Sequence, residues 1–154
     1  MKKILFILSV SLFSLSLSAF KKDPGIDPNK KITNAFKADY PLVNDVRWEL
    51  EGRIYVARFV NTNTERDQLA YYNEEGEFLG QVWSIKLNDT PSNIQQKILK
   101  GADASSIKNI YLFQPPDGYP KYYATIVSNG KQIFKQVNAT GESFIISKKR
   151  VPAI

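Results

Sequence analysis

The chain of 154 residues contains no cysteine and no histidine. The first absence excludes disulfides, thiolate metal ligands and a lipid-modified cysteine behind an export signal, so packing alone must hold the fold. The second removes imidazole ligands, the usual general base near neutral pH and every triad built on imidazole. Glycine-rich phosphate loops, a nucleophile elbow and calcium-loop spacing are also missing. Catalysis is left with carboxylates, in the clusters Glu49 with Glu51 and Glu74 with Glu75 and Glu77. Glu49 and Glu51 alternate with Trp48 and Leu50, the pattern of the wet face of a strand, and Glu74 and Glu75 adjoin a turn at Gly76. The composition therefore points away from an enzyme, and it calls for no cofactor and no metal.

What is present begins with an address. Met1 to Ala19 has a positive start at Lys2 and Lys3, an apolar stretch from Ile4 to Leu17 and a small-residue end. This is the pattern of an export signal cleaved after Ser18 or Ala19, too short for a helix that stays in the bilayer. A buried N-terminal helix is the alternative, but the run lacks a charged face at helical spacing. The expected organisation is a signal peptide over 1–19, a flexible tether over 20–26, a folded domain over 27–150 and a tail over 151–154. A periplasmic or secreted protein with no membrane span after cleavage follows. The formal charge of +6 includes two lysines of the leader, and the remaining lysines are scattered. That scatter and the export signal argue against a nucleic-acid partner. Anionic envelope polymers or an acidic protein surface suit the charge better, although a mild basic excess also serves solubility.

Glycine turns at Gly52, Gly76, Gly118, Gly130 and Gly141 separate alternating segments. Strands are predicted over 46–50, 53–60, 68–73, 77–85, 107–113, 119–128, 131–137 and 142–148, with short links favouring antiparallel neighbours. Asp27-Pro28 and Thr90-Pro91 each place an oxygen cap before a proline suited to a first helical turn. Ile32, Ala35 and Phe36 form one apolar stripe, and Ile94, Ile98 and Leu99 another. The order of helix and strands occurs twice. The fold class expected is α+β: a tandem duplication of a helix followed by a four-stranded antiparallel meander, the copies spanning about 27–87 and 90–150, with the helices packed on one sheet face. Chance alternation in two meanders is the competing explanation.

The residues Phe36, Val46-Arg47-Trp48, Tyr55-x-Ala57-x-Phe59 and Ala70-x-Tyr72 before Gly76 resemble the PepSY-like, or β-lactamase-inhibitor-protein-like, family of exported bacterial proteins. The similarity runs from about Ile32 to Lys148. The second half keeps Tyr122-x-Ala124 and Gly141, with Ile110 at the tryptophan position. This resemblance implies an envelope or secreted protein that binds, and in the narrower reading inhibits, another protein. It supplies no catalytic residue, and the chain lacks the disulfides typical of the named inhibitors.

If Trp48, Tyr55, Ala57, Phe59, Ala70 and Tyr72 face the helices, alternation sends Arg58 and Tyr71 to the other sheet face. Tyr123 follows by the same argument in the second half, joined by Tyr111, while the side taken by Trp83 depends on register. Aromatic area beside a planar cation is what protein interfaces favour. The candidate partner-binding residues are thus Arg58, Tyr71, Trp83, Tyr111, Tyr119 and Tyr123, with Tyr119 beside the Pro115-Pro116-Asp117-Gly118 turn. The aromatic rings are expected in water. The other reading of that face is a second core, covered by the other copy's sheet or by a symmetric partner subunit. Small-ligand or glycan binding through the same aromatics is the second functional reading.

Overall fold

Glycine turns and alternation do produce eight strands, but the strands join in one body. The computed structural model describes residues 25–151, so the expected signal peptide, residues 20–24 of the tether and residues 152–154 of the tail lie outside the described residues. The order is α1 (Lys30–Asp39), β1 (Val46–Glu51), β2 (Ile54–Asn61), β3 (Arg66–Tyr72), β4 (Phe78–Ile85), α2 (Ser92–Leu99), β5 (Ile107–Gln114), β6 (Lys121–Ser128), β7 (Lys131–Asn138) and β8 (Ser143–Arg150). Short 3-10 turns at Leu87–Asp89 and Ala104–Ser106 flank α2.

All eight strands form one antiparallel sheet in sequential order. This overturns the expected tandem of two helix-plus-four-strand copies. The supposed boundary is itself a ladder, running from Gln81 opposite Gln114 to Ile85 opposite Ile110. Two separate meanders would expose four edges of unpaired N–H and C=O groups, and pairing β4 with β5 removes two of them. The long helix-bearing link between these strands read as a break, yet an antiparallel pair does not require a short connection.

The helices begin differently from the sequence expectation. Asn29, not Asp27, caps α1, its Oδ1 accepting from the Lys31 amide at 2.9 Å and the Ile32 amide at 3.2 Å. Pro91 stands at the α2 cap position with no side-chain cap, while the Thr90 hydroxyl donates to the Leu87 carbonyl at 2.7 Å. Ile32 and Phe36 of α1 cluster with Trp48, Ala57, Phe59, Ala70 and Tyr72. Ile94 and Ile98 of α2 cluster with Ile110, Tyr122, Ala124, Ile126 and Val137. We call the side of the sheet carrying these residues the first face. At Gly76, φ is +84° and a Cβ would lie 3.0 Å from the Lys31 carbonyl oxygen, so the β3–β4 turn sits against the first turn of α1.

The second face has a core of its own. Val56, Leu69, Tyr71, Val82, Phe113, Tyr123 and Phe134 form a third buried cluster drawn from β2 to β7. Among the described residues no helix contributes to it, so these side chains exclude water from one another. Gly80 makes room for this: its φ is +133°, and a Cβ there would come within 2.7 Å of the Phe113 ring.

Candidate functional site on the second sheet face

Register fixes which side chains meet. Arg47, Arg58, Leu69, Val82 and Phe113 form one continuous rung across β1 to β5. Ser84, Tyr111 and Tyr123 form another across β4 to β6. The structure therefore brings Arg58, Tyr71, Tyr111 and Tyr123 to the same face. Trp83 goes to the other side, because it pairs with Gln68 of β3 and Leu112 of β5, both of which share the parity of the first face. Tyr119 lies before β6 begins and is 79% exposed in the β5–β6 loop.

The expectation that the rings stand in water is corrected for two of them. Tyr71 is 4% exposed and Tyr123 7%. Tyr123 stacks on Phe134 with ring centroids 5.7 Å apart, and β5 and β7 flank it in the ladder. Tyr111 and Arg58 are half-buried and reach the surface. They border a cavity of about 280 Å³ together with Asp67, Ser84 and Asn109, and Trp83 also contributes to its wall.

Charge organises the rim. Glu49 Oε1 lies 3.4 Å from the Nε of Arg58 and 3.8 Å from the Nε of Arg47, so one carboxylate braces two guanidinium groups. Burial, reinforced by the neighbouring charge of Glu49, raises the carboxyl of Glu51 above its ordinary range, and Arg58 opposes the shift. Burial followed by the charge of Glu51 raises the phenol of Tyr71, and burial raises those of Tyr111 and Tyr123. These phenols stay protonated near neutral pH and can donate hydrogen bonds. Glu49 and Glu51, expected on the wet face of a strand, are half-buried beside these groups. Parity with Arg47, opposite Trp48, was the signal that places them here.

The chemistry on offer is recognition. Among the described residues no group of His, Cys, Asp and Glu is arranged to hold a metal ion. Arg58 supplies a positioned planar cation and Tyr111 an aromatic edge with a donor, on a face that no described helix covers. No helix among the described residues is long and apolar enough to cross a membrane.

No protein-family model matches the chain, and no curated protein matches it. Solved structures with the same fold do exist. A BLIP-like protein from Bacteroides fragilis NCTC 9343 is 18% identical with a TM-score of 0.66, the match covering 82% of this chain and 88% of that one. A DUF2874 family protein from Bacteroides uniformis ATCC 8492 is 18% identical with a TM-score of 0.68, covering 80% and 90%. A protein from Bacteroides eggerthii DSM 20697, inferred to be periplasmic, is 16% identical with a TM-score of 0.69, covering 81% and 90%. The chain thus has the fold of BLIP-like and DUF2874 proteins, whereas no PepSY-like structure is among these neighbours.

Proposed function

We propose that this is an exported, non-catalytic protein-binding module that engages its partner on the second sheet face, around Arg58 and Tyr111. The observation that carries the reading is that these two half-buried side chains line one cavity on a face that no described helix covers. Tyr71 and Tyr123 stiffen the same face from within its buried cluster, while Trp83 contributes to the cavity wall and Tyr119 extends the surface through the β5–β6 loop. The leader-like sequence of residues 1–19 and the inferred periplasmic neighbour support export. The BLIP-like fold supports a protein as the partner, with inhibition of an envelope or secreted enzyme as the narrower form of the proposal.

Co-purification from envelope extracts tests this reading. Wild type and an Arg58→Glu variant with an unchanged melting temperature are compared. Loss of the co-purifying protein from the variant alone is the expected result, and identical partners in both would refute it. The volume of the cavity favours one alternative, a small ligand or glycan, since it approaches the lower end of ligand-site sizes of about 300 Å³. A rise in melting temperature with a cell-wall glycan would support that alternative.

A further inference from the structure

The two edges of the sheet are not equivalent. Along β1, the amide of Ile26 donates to the Trp48 carbonyl at 3.2 Å, so the chain before α1 lies on that edge. β8 pairs only with β7, and no described segment lies on its outer side. Phe144 and Ile145 on this edge are 46% and 60% exposed. Lys148, Lys149 and Arg150 follow them, and Lys131 pairs with Arg150 across the ladder, all four exposed. Among the described residues no ion pair engages Lys131, Lys148 or Arg150.

We propose that the β8 edge is a second docking site, one that takes an extended acidic segment of a partner protein as a ninth strand. Open N–H and C=O groups supply the ladder, and Phe144 with Ile145 supplies apolar contact. The basic end selects a segment with acidic residues beside an apolar stretch. Charge disfavours a second copy of this chain, whose own β8 would bring Lys148, Lys149 and Arg150 to the ribbon and holds no acidic residue. Lysines and a bulge also protect edges from indiscriminate pairing. Here the bulge at Ile146, where Phe134 pairs with Ser147 and Lys135 with Ile145, splits the edge into a short apolar part and a basic part.

The test uses the full chain and three labelled peptides: three aspartates followed by alternating valine and threonine, the same peptide with proline at alternate positions, and polyaspartate. Binding of the first alone is expected, with slowed amide exchange over residues 143–150. Lys148→Glu with Arg150→Glu should weaken it about tenfold or more, as two attractions become repulsions at a rim. Arg58→Glu should leave it unchanged, which separates this site from the face proposed above. Equal binding of polyaspartate, no effect of charge reversal, or self-association through β8 in place of peptide binding would overturn the proposal.

Discussion

The Lys135 ammonium donates to the Ile98 carbonyl at 3.2 Å, and also to the carbonyls of Lys97 at 3.0 Å and Lys100 at 3.3 Å. One buried cation on β7 thus closes the C-terminus of α2, where carbonyl groups lack helical partners and the helix dipole is negative. Burial, with Lys100 nearby, lowers its pKa from the usual lysine value. Lys135→Met would remove all three donations and leave the acceptor at the buried Ile98 carbonyl without this partner. We expect a loss of about 1–3 kcal/mol in denaturant unfolding, with α2 amides exchanging faster than those of α1. An unchanged midpoint would show that the bonds contribute nothing net.

Alkaline pH should destabilise the protein through its buried tyrosines. Burial raises the phenol of Tyr40 to about 12, with the charge of Asp39 adding to the effect and the hydrogen bond from Gln68 opposing it. Tyr72, buried and hydrogen-bonded to Asp39, and Tyr71 shift in the same direction. An acid whose folded pKa lies above its unfolded value of about 10 binds its proton more tightly when folded. Its stabilisation is complete below pH 10 and is lost as pH rises through the folded pKa. Tyrosinate absorbance and circular dichroism should therefore change together between pH 10 and 12. Gradual ionisation near pH 10 in a folded protein would contradict this.

Gly80→Ala should be among the costlier small substitutions. The added Cβ meets the Phe113 ring at 2.7 Å and the Gln114 carbonyl at 2.8 Å, at a backbone φ of +133°. Overpacking and strain together predict a loss of about 2 kcal/mol or more. Gly52→Ala, at φ +65° with open space around the Cβ, should cost about 1 kcal/mol from backbone conformation alone. Equal melting temperatures for the two variants would contradict the close approach.

Asn29→Ala should cost about 1 kcal/mol, whereas Asp27→Ala should fall within about 0.5 kcal/mol of wild type. Thermal melts of the two variants distinguish the observed cap from the one expected two residues earlier.

That displaced cap illustrates what a sequence conveys. Asp27 and Asn29 have equally suitable side chains, and only the path of the chain decides which oxygen reaches the Lys31 and Ile32 amides. The strands were legible because glycine turns bound them and because Ala57, Ala70 and Ala124 alternate with larger groups. Joining them was not, since nothing local reveals that Ile85 and Ile110 lie opposite each other across a helix-bearing link. Alternation placed Arg58, Tyr71, Tyr111 and Tyr123 on one face, but it carries no information about which neighbours on that face close over one another, and packing within the second-face cluster buries Tyr71 and Tyr123. Leu79 and Trp83 share sequence parity yet part company: the irregular pairing at Tyr71 and Tyr72 lets Leu79 join the second-face cluster, while Trp83 keeps the parity of the first face. Nothing in the strand pattern singles out Lys135, whose role appears only once the end of α2 lies within its reach.

The most direct test installs a photo-crosslinking amino acid at Tyr111, with a second variant carrying it at Leu42, which is 63% exposed in the α1–β1 connection. Irradiation of envelope fractions should yield a discrete adduct from position 111 that disappears with Arg58→Glu, and none from position 42. Adducts from position 42 alone, or adducts from 111 that are indifferent to Arg58→Glu, would contradict recognition through the second face.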